Sequence, residues 1–194
     1  MSAQARSGTD SASAGGRFEW RRPTPDDFKR PIAVIEADHA YQLAICDVLD
    51  RLVHNPRHGA EEAEIAAVHE YLCTGLPMHI ADEEEDLFPL LRERAEADDG
   101  LEQILGQLHL EHRTDGRLID DLCRDIECLI GGQAFADPAR FLMTAFAFSE
   151  TQRRHLAWEN AVVLSRARKF LTKADRAELG RRMARRRGFD LPPP

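Results

Sequence analysis

The sequence predicts an all-α fold: an up-down-up-down four-helix bundle with a short C-terminal fifth helix and an N-terminal arm. Three observations lead there. Apolar residues recur at three- and four-residue steps through most of the chain beyond residue 31. No run alternates with period two between turn signals, as a half-buried strand would. The breaks between the long periodic segments are short, and short connections make consecutive helices antiparallel neighbours.

Each element has its own signature. Residues 1–30 read as a flexible arm. The first 16 are rich in Ser, Ala, Gly and Thr, a composition that cannot bury a core, and are expected to be disordered. The following GRFEWRRPTPDDFKRP holds three prolines and cannot be one helix. Its Phe18 and Trp20 are large enough to dock the arm on the domain. In IAVIEADHAYQLAICDVLDRLV (32–53), Ile32, Ile35, His39, Leu43, Cys46, Leu49 and Val53 form one stripe of an amphipathic helix. NPRHG ends it. A second helical segment spans about 61–94, disturbed at GLP (75–77) and at Pro89. After ADDG a third runs over about 101–130 and closes at Gly131-Gly132. The fourth opens behind Asp137-Pro138, with proline in the first turn, and reaches about 171. TKAD (172–175) is a capping pattern that starts a fifth, ending at Gly188. The bundle is thus expected over 31–171, followed by a basic helix and tail over 172–194.

Composition narrows the function classes. Apolar residues make up 43% of 194 and charged residues 31%, the balance of one globular domain with a sizeable core. A formal net charge of −8 argues against a nucleic-acid-binding surface. No apolar run approaches the ~18 residues of a membrane span. The N-terminus has no apolar signal core, so the expected location is the cytoplasm. Cys46, Cys73, Cys123 and Cys128 show no CxxC spacing and are expected to be reduced, half-buried packing residues.

The informative feature is an internal repeat. HIADEEEDL (79–87) and HLAWENAVV (155–163) both read His, branched apolar, Ala, any residue, Glu, with an apolar residue eight positions after the His. They fall on the second and fourth helices, which are diagonal in this topology. Residues i and i+4 of a helix lie about 40° apart around the axis and about 6 Å apart along it. His79 with Glu83, and His155 with Glu159, therefore each offer an imidazole and a carboxylate to one interior point. His39 and His112 stand on the apolar faces of the first and third helices.

Taken singly, each element has a plainer explanation. A lone His on an apolar face is usually a hydrogen-bonded core residue, and a lone HxxxE is usually a surface i,i+4 pair. Two copies plus two inward histidines, one element per helix, are hard to obtain as decoration. Buried imidazoles and carboxylates are unfavourable without partners, and such a set suits a first-row metal with N and O ligands. Within the acidic run, Asp82, Glu85 and Asp86 read as solvated face, and Glu84, next to Glu83, is undecided.

The combination of His39, HIADEEEDLFP, LEHRTD around His112, HLAWEN around His155 and the trailing MARRRG resembles the hemerythrin-like (HHE cation-binding) family over about residues 30–188. That resemblance implies a four-helix bundle around a non-haem di-iron centre, two iron ions joined by an oxo or hydroxo bridge, with oxygen-carrying, sensing and iron-handling members. It implies His39, His79, Glu83, His112, His155 and Glu159 as metal ligands, with Glu83 and Glu159 bridging.

The chain departs from the family's oxygen carriers on two helices. Those have HxxxH on the third helix; here the positions four from His112 are Gly116 and Leu108, and His109 sits at an i,i+3 offset of about 60°. On the fourth helix the carriers' acid falls one residue after Glu159, where this chain has Asn160. Two six-coordinate irons need about twelve ligand positions, and this set with one bridge leaves about two open. That suits reactivity, sensing or iron handling better than reversible carriage.

The leading expectation is binding or sensing of a small diatomic ligand, oxygen or nitric oxide, with no residue that demands an enzyme. Reduction of peroxide or nitric oxide is the competing reading. Zinc is a substitute for iron in the same ligands, though structural zinc prefers four ligands and usually thiolates. A ferritin-like oxidase needs Glu-x-x-His on two helices, and only Glu36-x-x-His39 qualifies. The basic RARKFLTKADRAELGRRMARRRG reads first as dipole-complementing charge and second as a segment that docks on something acidic. A protein partner or a homodimer remains open; no membrane or nucleic-acid partner is expected.

Overall fold

Prolines and capping side chains set where the chain enters its helices. A computed structural model describes residues 20–56, 58–94 and 100–192. The expected disorder of residues 1–16 and the docking of Phe18 lie outside the described residues. Trp20 is described: it packs its ring against Tyr41 and Tyr71, with centroids at 6.3 and 5.2 Å. A 3-10 turn, Asp27–Lys29, leads into α1, Pro31–His54, with Pro31 in the first turn where its missing N–H is harmless. The second rod, α2, covers 62–94 and opens on a capping box between Glu61 and Glu64. The third, α3, is Leu101–Ile130. The fourth, α4, covers 138–170 and starts at Pro138, with Asp137 accepting from the Arg140 N–H at 3.0 Å. The last, α5, is Lys173–Arg186, capped reciprocally by Thr172 and Asp175 as the TKAD pattern predicts. It ends at Gly188, whose φ of 80° only glycine adopts freely, with Phe189 N–H returning to Ala184 C=O at 3.0 Å. No strand occurs among the described residues, and no helix there is long and apolar enough to cross a membrane.

Two rods are continuous only because they contain π turns. In α2 these are Tyr71–Gly75 and Asp82–Leu87; in α4 there is one, Glu159–Val163. The two disturbances in α2 expected at GLP and Pro89 take this form. Pro77 and Pro89 each lack an N–H and crowd the carbonyl four residues back, and a wider turn just before them relieves both problems. No proline follows Glu159 within α4. What the second and third π turns share is the repeat: Phe88 N–H returns to Glu83 C=O, and Leu164 N–H to Glu159 C=O. Spending one extra residue brings Leu87 and Val163 to where a seventh residue would stand, about 20° from the histidine. Both are fully buried. The eight-residue spacing of the repeat is the imprint of that turn.

The rods pack cyclically, α1 against α4, α4 against α3, α3 against α2 and α2 against α1, so the two HxxxE copies face each other across a diagonal. Two apolar clusters fill the interior. One gathers Ile35, Phe88, Leu91, Leu105, Leu164 and, from α5, Leu179 and Met183. The other gathers Leu49, Leu72, Leu122, Phe141 and Phe148 at the opposite end. Between them lies a layer of buried polar side chains.

Three expectations are corrected. In α1 the inward residue at the middle of the stripe is Gln42, and Leu43 is 38% exposed: Ile35, His39, Gln42, Cys46 and Leu49 keep a strict four-three alternation, and Leu43 lies one residue, about 100°, off it. Cys73 and Cys123 are not reduced packing residues: they form a disulfide between the first π turn of α2 and α3, with Cα atoms 6.3 Å apart and the two residues 50 positions apart in sequence. A test for CxxC spacing cannot see such a pair. Cys46 and Cys128 are free. Asp82 and Asp86 are not solvated face: both are buried, held by Arg186 and Arg187 from α5. The basic segment thus docks on an acidic surface, and that surface is its own chain's. Gly180 makes the approach feasible, since a Cβ there would lie 2.0 Å from Phe28 O.

The disulfide gives the first prediction. Under denaturing conditions without reductant, thiol titration is expected to find Cys46 and Cys128 alone. Reduction should destabilise the fold by about 4 kcal/mol, the chain entropy returned to a loop of this length. Urea midpoints with and without reductant measure it, and identical midpoints would rule the crosslink out as a stabilising element.

Candidate metal centre

The polar layer contains all six residues that the resemblance implies as metal ligands. His39, His79, Glu83, His112, His155 and Glu159 are all buried, one histidine from each long helix and one glutamate from each copy of the repeat. They form two overlapping groups, His39, His79, Glu83, Glu159 and Glu83, His112, His155, Glu159, in each of which one ligand atom per residue lies within 4.8 Å of the others. The glutamates belong to both. Nε2 of His39 stands 3.4 Å from Glu83 Oε1 and 3.4 Å from Glu159 Oε2. Nε2 of His112 stands 3.6 Å from Glu83 Oε2 and 3.9 Å from Glu159 Oε1. His79 and His155 meet the glutamates of their own helices at 3.4 and 2.9 Å, the i,i+4 relation expected from the spacing.

All four Nε2 atoms point inwards, and the opposite nitrogen of each ring is met by a neighbouring helix. His39 Nδ1 lies 2.8 Å from Asn160 Oδ1, His112 Nδ1 2.7 Å from Glu84 Oε1, and His155 Nδ1 2.9 Å from Glu111 Oε2. His79 Nδ1 faces Asp38 Oδ2 at 3.7 Å. Three of these contacts are hydrogen bonds, made by α2 to the histidine of α3, by α3 to that of α4 and by α4 to that of α1; α1 faces the histidine of α2 with Asp38 at a distance too long for a hydrogen bond. An acceptor on the outer nitrogen fixes ring orientation and directs the other nitrogen's lone pair to the centre.

These partners are what the sequence reading missed or left undecided. A signal existed: each is the immediate neighbour of a site residue, Asp38 before His39, Glu84 after Glu83, Glu111 before His112 and Asn160 after Glu159. Glu84 also accepts from His109 Nδ1 at 2.9 Å; the His109 side chain is 49% exposed and brings no nitrogen to the cluster. Glu36 is exposed and pairs with Arg168.

The cluster's electrostatics identify what it lacks. Burial alone would push Glu83 up and His79 down. Their pairing reverses both, holding Glu83 well below the usual carboxylate range and raising His79 to about 10. Burial also disfavours charged His155, yet Glu159 and Glu111 raise it to about 9. The imidazoles and carboxylates thus stabilise each other's charge, and a cation bound here would have to displace protons from the rings. Even so, both oxygens of Glu159 and Oε2 of Glu83 are buried without an aligned hydrogen bond. Carboxylate oxygens rarely stay orphaned in an interior. Aimed with four imidazole nitrogens at shared points, they fit hard-to-borderline divalent cations.

A four-helix bundle with an interior imidazole–carboxylate cation site is the class of protein this architecture defines. Residues 30–177 match the hemerythrin HHE cation-binding domain, and the chain belongs to that family. Among curated proteins nothing matches it.

The helical phase is directly testable. Glu83→Ala and Glu159→Ala are each expected to lose most of the bound cation, because each carboxylate belongs to both groups. Glu85→Ala, removing an exposed acid from the same run, should leave cation content unchanged. Elemental analysis of the three purified variants decides, and the reverse ranking would show the inward face to be wrongly assigned.

Proposed function

We propose that this chain is a non-haem di-iron protein that binds or senses a small diatomic ligand, oxygen or nitric oxide. The observation that supports two ions rather than one is the sharing of Glu83 and Glu159 between two four-residue groups. In this reading His39 and His79 would hold one iron and His112 and His155 the other, with Glu83 and Glu159 available to both. Iron, when bound, would supply a redox-active centre to which a diatomic ligand can add.

The chain's own residues define what such a centre meets. The outer contacts preset the orientation of the imidazole rings, so little side-chain ordering would accompany binding once the rings give up their protons. Phe88 stacks on the His112 ring at 6.2 Å, and Leu87, Val163 and Leu156 close the layer, keeping bulk water from the glutamates. Four histidines and two shared carboxylates would leave a pair of six-coordinate ions about two positions short. That favours a responsive centre over a guarded carrier. Reduction of peroxide or nitric oxide is the alternative, and iron handling shares the same geometry. A cytoplasmic location belongs to the proposal too, and the Cys73–Cys123 disulfide weighs against it, since a reducing compartment keeps such pairs as thiols.

Iron-supplied protein is expected to carry close to two irons per chain, with ligand-to-iron charge-transfer absorption in the near ultraviolet. One tightly held zinc and no iron would defeat the reading. The open positions generate a separate expectation. Iron(II)-loaded protein mixed rapidly with air-saturated buffer should oxidise without a long-lived spectrum that reverses on degassing. Reversal would restore a carrier, and sustained consumption of peroxide or nitric oxide with a reductant would establish an enzyme.

A further inference from the structure

The five-acid run of α2 divides its residues between two destinations. Glu83 faces the metal layer, and Glu84 serves His112 and His109. Asp82, Glu85 and Asp86 face the other way and meet α5. Arg186 reaches Asp82, Asp86 and Glu85 at 2.5, 2.6 and 2.8 Å. Arg187 grips both oxygens of Asp82, at 3.0 and 2.7 Å, and lies over the Phe28 ring at 5.4 Å. Asp82 and Glu83 are consecutive and both 0% exposed. Two adjacent carboxylates are thus buried on opposite sides of one turn.

That turn is the π turn Asp82–Leu87. A π turn bonds i→i−5 instead of i→i−4, so the phase of its side chains differs from that of the regular helix on either side and is not set by continuing it. A rotation of the turn would carry Glu83 away from the imidazoles and drag Asp82 off Arg187. The far end of α5 is anchored separately: Arg94 holds Asp175 with two bonds, at 2.8 and 2.9 Å. Leu179, Met183 and Ala184 seat the helix between the two anchors.

We propose that Arg186 and Arg187 are positioning residues for Glu83: through Asp82 and Asp86 they fix the phase of the π turn, and so govern how long the centre retains its metal. The proposal rests on the di-iron reading for its consequence, but its structural half concerns the metal-free chain. Arg94 secures the same helix without touching the turn. It supplies the comparison that separates positioning from mere docking of α5.

The test uses the full chain. Iron(II) is loaded anaerobically, and its release to an excess of a ferrous chelator is followed by absorbance. Hydrogen exchange of residues 82–88 is measured on the same variants without metal. Arg186→Ala with Arg187→Ala is expected to release iron about 10- to 100-fold faster, the usual range for loss of an outer partner, and to lose protection across the turn. Asp82→Asn removes the buried charge instead of stranding it, and should do the same if the double variant folds poorly. Lysine at both arginines keeps the charge but loses the two-pronged geometry, and should fall between. Arg94→Ala should loosen the start of α5 yet leave release and turn protection near wild type. Unchanged release and protection in Asp82→Asn would overturn the proposal, as would equal acceleration by Arg94→Ala. A wild-type chain that binds no iron would sink the di-iron reading, while exchange at the turn would still decide the positioning role.

Discussion

The middle layer of this bundle depends on where four imidazole Nδ1 atoms find their acceptors. Six buried ionisable side chains in a layer between apolar clusters are unfavourable unless each is oriented and matched. Glu84, Glu111 and Asn160 supply that orientation by hydrogen bonds, and Asp38 closes the cycle as a charged neighbour of His79 Nδ1 at 3.7 Å. Because each acceptor belongs to a different helix from the ring it holds, the cycle also fixes the relative rotation of neighbouring rods. A helix that turned on its axis would lose its own histidine from the centre and its neighbour's Nδ1 partner together. The site and the packing of the four rods are therefore one constraint. The cycle is also uneven: three members are carboxylates, and the fourth, on His39, is a neutral amide.

Much of this was legible in the residues. Five helices were readable from periodicity and punctuation because each buries a stripe and begins or ends on Pro, Gly or a capping pair. The six central residues were readable because i,i+4 spacing survives any packing arrangement. What was hidden involves contacts between distant segments. Charge alone makes Asp82 and Asp86 look solvated; only the approach of Arg186 and Arg187, about a hundred residues away, allows them into the interior. The Cys73–Cys123 pairing lies across α2 and α3 and has no local signature. Gln42 displaces Leu43 from the inward face because the layer there is polar, and a hydrophobic template favours the wrong one of two adjacent residues. The π turns were half visible, as disturbances at two prolines and as an unexplained eight-residue step in the repeat.

Those π turns show how the fold reconciles a precise site with irregular helices. Each carries a crosslink to another element. Cys73, in the first, is bonded to α3. Asp82 and Asp86, in the second, are gripped by α5. Asn160, in the third, holds His39 of α1. A π turn widens the helix and reorients the residues beyond it, which lets a glutamate and the next inward apolar residue share one face. The same widening sets the phase of the turn apart from the regular helix on either side. External contacts at each turn fix that phase at the points where the two shared glutamates and His79 must be held. The apolar clusters on either side then let the bundle assemble around a layer already shaped for a cation. Binding energy at the centre is accordingly available for retention and selectivity rather than for ordering the chain.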